Sequence, residues 1–523
     1  MSAETDEQSV ERSVANATED ADVARKAGRG GLAITFAKVW FIVLGLVQQI
    51  ALPRVLGLAG YGALSSALSI SSIAYNPVVT TSIQGVSRAI ASSREEDQPF
   101  VVRRLMGAHG LIAMILGLGF FALSGPIGNA TGAPHIIPSL RILAGVMLFY
   151  SVYSPLIGVL NGKKLFLRQA SLDMLAATLR TIGLIAGGYV LSAAGNGVEG
   201  SVSGFVMATV LVLVAAIAWV GLGRPGSGGT SVKSHLVFVA PLLLGQVLLN
   251  LLLQADLTLL RTFAAESASA AGLPLTAADP LVGAYRATQL FCFLPYQLLI
   301  SVTFILFPLL AKAHHDADAK SVQLYVRTGV RLALVLMGLM VSVTSGLSGP
   351  LLRLVFPAEA AELGAASMQI LTLGFGAFAI FGILVTVLNS LERERASAIT
   401  TGVAFALVVA LCFLRVRGGE FGAGMLLSTA LATTAGLCLA TVVAAVLVWR
   451  SARALVSPIS ALRVAVALAA AVAVGRQFPA AGKVMTLALA ALVGCVYVVV
   501  LVATRELGKA DVATVTRVLR RKR

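Results

Sequence analysis

Gln246, Asn250, Gln254 and Thr258 recur every four residues, and Arg261 follows three further on. This spacing lays the five groups along one face of a helix that is otherwise apolar. Amides can meet hydroxyls, and a guanidinium grips phosphate through a two-point fork. Asp256 lies on the flank of the stripe. With Asp173 it is one of two acids inside the long apolar stretches, against four bases, Lys38, Arg180, Arg286 and Arg463. A cationic lining suits an anionic ligand, because opposite charge must offset the cost of leaving water. Looser stripes are formed by Arg286, Gln289 and Tyr296, and by Thr35, Lys38, Gly45 and Gln49.

Each of these residues has a functional and a structural reading. Arg180 either faces a polar lumen, where it would bind substrate, or pairs with Asp173 two turns earlier on the same face. Lys38 either assists it or carries its ammonium to the interface. Gln246, Asn250 and Gln254 either bind ligand or make interhelical hydrogen bonds. Arg54, Arg261 and Arg286 read together as a basic outer vestibule and singly as interfacial anchors. Asp256 is the candidate for coupling to a H+ or Na+ gradient, with pairing to Arg261 as the alternative. Pro77 and Pro295 each remove a backbone hydrogen bond within an apolar stretch, making either hinges or static bends.

Transmembrane helices must position these groups. Of 523 residues, 57% are apolar and 12% are charged, about half the ~25% typical of a soluble chain. So little charge cannot cover a soluble surface. The composition therefore excludes a disordered chain, a disulfide scaffold and a soluble nucleic-acid binder, despite the net charge of +16. A helix needs ~20 apolar residues to cross the hydrocarbon core. The expected spans are 31–52, 61–86, 104–123, 139–160, 170–192, 198–222, 236–260, 281–310, 327–347, 365–390, 396–414, 421–449, 458–475 and 482–503. The fold class is thus all-α polytopic, with fourteen spans. Residues 1–30 are polar and mixed in charge and are expected to be disordered. They lack a cleaved leader's charged-then-apolar pattern, so the first apolar run is expected to be retained. Cys292, Cys412, Cys438 and Cys495 all fall in apolar runs and are expected to be core residues, with no disulfide or metal spacing.

Orientation follows from Lys and Arg near the span ends. With a cytoplasmic N-terminus, inner segments carry 28 basic residues and outer segments 8. Both termini are therefore expected in the cytoplasm. The basic tail, 504–523, would lie against anionic lipid or bind a partner.

The chain also repeats itself. Leu123-Ser124-Gly125-Pro126 returns as Leu347-Ser348-Gly349-Pro350, and Val159-Leu160-Asn161-Gly162 as Val387-Leu388-Asn389-Ser390. Tyr61 and Tyr285 stand 224 residues apart, as do the two Leu-Ser-Gly-Pro runs. The unit is six spans, 31–222 and then 236–449, joined by a cytoplasmic linker, 223–235. Residues 450–503 form an appended pair. An even number of spans per copy inserts both copies the same way up, as in transporters built from parallel repeats.

Leu52-Pro53-Arg54-Val55-Leu56-Gly57 followed by Gly60-Tyr61-Gly62 resembles the first hairpin of the polysaccharide-biosynthesis flippases. These belong to the multidrug/oligosaccharidyl-lipid/polysaccharide exporter superfamily. Gly85-Val86-Ser87-Arg88, Leu160-Asn161-Gly162-Lys163-Lys164, Gln254-Ala255-Asp256, Gly283-Ala284-Tyr285 and Phe307-Pro308-Leu309-Leu310 continue the resemblance over roughly 31–450. It implies a flippase of the cytoplasmic membrane that moves a lipid-linked oligosaccharide, often a polyprenyl diphosphate, for cell-surface polysaccharide biosynthesis. On that expectation Arg180, Arg261 and Arg286 hold the diphosphate, with Lys38 assisting, during alternating access between the halves. Membrane lipids and the anionic lipid-linked glycan are the expected partners, together with glycan polymerases or glycosyltransferases. No cofactor or nucleic acid is expected.

Two other functions compete. One is a cation-coupled drug or metabolite antiporter of the same superfamily. The other is a membrane-embedded glycan polymerase or ligase, which would need catalytic residues in a large outer loop. The longest expected outer loop, about 262–280, has only Glu266 and Asp279 as ionisable groups and reads as a flexible Ala/Ser-rich connector. A scaffold that binds partners without transport is a third possibility.

Overall fold

A computed structural model describes residues 3–478 and 482–508. Among these residues there is no strand. The helices are α1 (Ala3–Ala91), α2 (Gln98–Ala130), α3 (Ile137–Gly162), α4 (Phe166–Ser192), α5 (Gly197–Val220), α6 (Val232–Ala270), α7 (Ala278–Cys292), α8 (Leu294–His315), α9 (Ala319–Gly346), α10 (Ser348–Val355), α11 (Ala358–Ser390), α12 (Glu394–Arg415), α13 (Ala423–Ala452), α14 (Pro458–Gly475) and α15 (Lys483–Ala503). The extreme basic residues Arg517 to Arg523 lie outside the described residues.

Twelve helices, not fourteen, are long and apolar enough to cross a membrane among the described residues. Two local features account for the difference. The first two expected spans run together as a 59-residue stretch, Ala33–Ala91. At ~1.5 Å per residue a straight helix of that length would far exceed a ~30 Å hydrocarbon core. It is broken at Gly57, whose φ of 71° and ψ of 173° are not helical. Only glycine takes that positive φ without strain, so the Leu56-Gly57 step supplies the turn. The eighth expected span, 281–310, is divided at Phe293, where α7 ends and α8 begins. Pro295 stands in the first turn of α8, a position that its missing N–H tolerates. Pro77, in contrast, leaves α1 helical; the Thr81 hydroxyl donates to the Pro77 carbonyl at 2.7 Å.

Three further expectations are corrected. Residues 3–30 belong to α1 rather than being disordered; they are rich in Ala, Glu and Arg, which favour helix even without an apolar face. The loop expected at 262–280 is largely helical, since α6 continues to Ala270 and α7 begins at Ala278. Cys292 and Cys412 are buried, but Cys438 and Cys495 are exposed on their helices, a place that is apolar once lipid surrounds them.

Contacts group the chain into two compact units, each discontinuous in sequence. One comprises Met1–Ala51, Ala74–Ala122 and Arg141–Leu244, the other Leu52–Ile73, Leu123–Leu140 and Gly245–Arg523. They are defined by contact and differ from the six-span repeats.

In the first unit, Val86, Ile90, Leu105, Leu156, Leu160 and Val212 form a core. A close joint in this unit is that between α4 and α5. Gly183 and Gly187 on α4 face Gly204 and Gly200 on α5, and an added Cβ at any of the four would fall on a backbone carbonyl of the opposite helix. Two glycines spaced by three residues on each helix let the backbones meet, as membrane helices do where lipid offers no hydrophobic drive. Gly204→Leu is therefore expected to force α4 and α5 apart at a cost of about 3 kcal/mol or more. Unfolding of the purified protein measures it, and a loss below about 0.5 kcal/mol would contradict the close contact.

In the second unit α11 is the central helix, with two-thirds of its most apolar window buried. Phe378 and Phe381 stack along it at 5.9 Å, and Phe375 meets Phe293 at 4.3 Å.

Candidate functional site

The second unit gathers a buried polar network around Asp256. The α6 stripe passes through Gln254, which accepts from the Ser69 hydroxyl of α1 at 2.7 Å. Asn250 is buried and donates to the Gln246 carbonyl at 2.9 Å. Asp256, on the flank, is 1% exposed. Its carboxylate accepts from the Tyr285 hydroxyl at 3.0 Å and from the Gln289 amide at 3.1 Å to each oxygen. Arg286 donates to the Gln289 side-chain oxygen at 3.0 Å. The charge of Arg286 thus reaches the carboxylate through a neutral amide, and the direct hydrogen-bond donors to Asp256 are uncharged.

Two motif glycines place α7 here. An added Cβ at Gly62 would fall on the Asp279 carbonyl, and one at Gly283 on the Leu58 carbonyl. The backbones of α1 and α7 therefore touch, with Tyr61 and Tyr285 buried beside the contact. This is the physical content of the Gly60-Tyr61-Gly62 and Gly283-Ala284-Tyr285 runs.

A second buried cluster corrects the expected vestibule. Arg261 is 1% exposed and sits 3.1 Å from Asp279, close enough for an ion pair without the alignment of a hydrogen bond. Its Nη2 donates to the Gly132 carbonyl at 2.9 Å. His135 approaches the second Asp279 oxygen at 3.0 Å. Arg261 is thus committed to the protein and does not pair with Asp256. Arg54 donates to the Val355 carbonyl at 3.0 Å. The three outer arginines have separate protein partners rather than one open basic face.

In the first unit, Arg180 does not take Asp173 as its ion-pair partner. Asp173 is instead within electrostatic reach of Lys38 and hydrogen-bonds Gln169. The Arg180 guanidinium lies 4.9 Å from the centre of the Phe205 ring, and its Nε is buried without a hydrogen-bond partner. It lines a cavity of about 150 Å³ with Gln48, Gln49 and Thr181. The arrangement is a cation and two amides at a small cavity whose other walls include Phe41, Leu44 and Ala177, with an aromatic face behind the guanidinium.

The sequence reading missed three features. Asp279 was visible only as a loop acid. Gln48 lay one residue off the recognised first-span stripe. His109 and His235, both 2% exposed, face each other at 3.0 Å between Nε2 atoms, and Ser82 reaches His109 Nδ1 at 3.1 Å. These two histidines are 126 residues apart, and no local pattern joins them. No group of three or more His, Cys, Asp or Glu side chains among the described residues could hold a metal ion.

With this geometry in place, comparison with known proteins is decisive for the family. Residues 27–314 match the model of a family described as polysaccharide biosynthesis protein. The chain belongs to that family. No curated protein matches it. A solved structure of lipid II flippase MurJ in an inward closed conformation superposes with a TM-score of 0.72 at 14% identity, covering 91% of this chain and 99% of that one. An inward-facing multidrug resistance MATE family transporter of the MOP superfamily gives 0.62 at 15% identity, over 78% and 98%. The Vibrio cholerae MATE transporter VcmN gives 0.55 at 16% identity, over 83% and 98%. At these identities the likeness is one of fold. Family and fold together make the chain a multi-pass membrane protein of the polysaccharide biosynthesis family, with the fold seen in those flippase and transporter structures.

Proposed function

We propose that this protein translocates an anionic lipid-linked oligosaccharide, with a diphosphate joining glycan to polyprenyl chain, across the cytoplasmic membrane. The observation that carries the reading is Arg180, a cation with an unpaired buried nitrogen lining a small cavity with Gln48 and Gln49. A guanidinium held this way can take a phosphate oxygen pair, while amides suit sugar hydroxyls. The family description and the flippase relative support the same direction. Arg180 with Lys38, and separately Arg286 with Gln246, Asn250 and Gln254, are the proposed head-group contacts. Arg261 is left out because its charge is already met by Asp279. The proposed cycle is alternating access of the two six-span repeats, with both termini cytoplasmic, a reading that the 28-to-8 basic bias supports.

A second reading, a cation-coupled drug or metabolite antiporter, is favoured by one observation: Asp256 is a buried carboxylate whose direct hydrogen-bond donors are neutral. Proteoliposome assays separate the two. With polyprenyl-diphosphate oligosaccharide as substrate, Arg180→Ala and Arg286→Ala are each expected to slow flipping roughly tenfold or more, the loss of a charge-assisted hydrogen bond. Undiminished flipping at normal protein levels would remove these roles. Transport of an organic cation, with no movement of the lipid-linked glycan, would favour the antiporter.

A further inference from the structure

A second basic cavity lies well away in sequence from the groups above. It encloses about 530 Å³ and is lined by Arg327 and Arg331 of α9, Trp449 and Arg453 at the end of α13, and Ser457 and Ser460 at the start of α14. Among the described residues no carboxylate lines it. The acid nearest to its chemistry, Glu506, is 3% exposed. It accepts from Arg331 Nε at 2.7 Å and from Arg463 Nη1 at 3.4 Å, and Arg331 Nη2 also donates to the Glu506 backbone carbonyl. Glu506 therefore anchors Arg331 and neutralises one charge. The three lining arginines retain an excess of two positive charges over Glu506, and Arg327 and Arg453 are exposed. The Arg453 guanidinium stands 5.5 Å from the Trp449 ring centre, which orients it without a countercharge.

The position of the cavity selects the anion. Helices α13 and α14 are both candidate spans, so their short connection, 453–457, lies at a membrane boundary. Arg327 and Arg331 likewise precede the apolar part of α9. Beginning next to the lining residues Pro458 and Ser460, an exposed apolar stripe runs along α14 through Ile459, Leu462 and Val466. Another runs along α13 through Trp449, Val446 and Val442. A basic recess that includes Trp449 of one stripe and the Pro458 and Ser460 positions flanking the start of the other matches a molecule with a phosphate head and acyl chains. Pockets of this kind between membrane helices hold anionic head groups.

We infer that the α9–α13–α14 cavity is a binding site for an anionic phospholipid of the surrounding bilayer. The phosphate lies among Arg327, Arg331 and Arg453, and the acyl chains follow the stripes on α13 and α14. The site is separate from the proposed transport residues, and its failure would leave the flippase reading standing.

The test uses the full chain in detergent, exchanged against mixed micelles of phosphatidylglycerol and phosphatidylcholine, with retained lipid quantified by native mass spectrometry. Phosphatidylglycerol is expected to be retained over phosphatidylcholine at equal mole fraction. Arg327→Gln/Arg453→Gln is expected to weaken that retention roughly tenfold or more, because two charge-assisted contacts are lost. Arg331 stays unchanged, since it is tied to Glu506. Equal retention of the two lipids by the unaltered protein would overturn the assignment even if the variant did not fold. Full displacement of phosphatidylglycerol by millimolar inorganic phosphate would also overturn it, in favour of a soluble phosphate site.

Discussion

Arg261→Ala is expected to destabilise the protein by about 3–5 kcal/mol, the range seen when one partner of a buried ion pair is removed. Arg261 and Asp279 are 1% and 4% exposed. Their attraction is therefore little screened, and the desolvation of each is offset chiefly by the other. Without Arg261, the Asp279 carboxylate keeps only His135 at 3.0 Å, and the Gly132 carbonyl loses its donor. A large volume is also vacated in a packed region, since Arg261 is among the largest fully buried side chains. Arg261→Met/Asp279→Leu is expected to recover most of the loss, because apolar side chains of similar size avoid the desolvation cost altogether. Unfolding of that double variant beside Arg261→Met and Asp279→Leu singly gives the coupling energy. A single-variant loss below about 1 kcal/mol, the scale of an exposed pair, would contradict the burial.

The second large effect concerns Asp256, whose structural and coupling roles can be separated by two substitutions. Asp256→Ala leaves the Tyr285 hydroxyl and the Gln289 amide without their acceptor, both in a region less than 2% exposed. An orphaned buried donor costs about 1–3 kcal/mol, so a total of about 2–6 kcal/mol is expected. Asp256→Asn keeps an acceptor oxygen but adds an amide that must face a donor, and is expected to cost about 1–2 kcal/mol. If Asp256 is the proposed ion-coupling group, the Asn variant should stay folded and flip substrate without responding to an imposed H+ or Na+ gradient. An Asn variant with the full gradient response would confine Asp256 to structure.

Particular residues show where sequence reasoning carried and where it stopped. The four-residue spacing from Gln246 to Thr258 identified the polar face of α6, because that period belongs to the helix and needs no partner. The Gly-Tyr-Gly and Gly-Ala-Tyr runs were recognisable as motifs, but their reason was not. Only the packed backbones of α1 and α7 show that Gly62 and Gly283 permit the contact beside Tyr285. Arg261 was legible as costly in a membrane, though not as satisfied. Its partner Asp279 stood in what read as a flexible connector, and lies within reach only because α6 and α7 fold back on each other. Arg180 and Asp173 share a helical face in sequence, yet Arg180 rests on Phe205 of α5, drawn close by the four glycines between α4 and α5.

The amino-acid sequence by itself determined that this is an all-helical, multi-pass membrane protein of the polysaccharide-biosynthesis kind. It also determined which few ionisable residues lie inside the apolar stretches. Apolar run length and family motifs are local along the chain, so both survive without coordinates. The tertiary structure decided which of those residues are committed and which are left available. It bound Arg261 to Asp279, gave Asp256 neutral partners, left one nitrogen of Arg180 unpaired and turned the chain at Gly57 and Phe293. The physical reason is that the cost of a buried charge depends on what faces it, and what faces it comes from another helix.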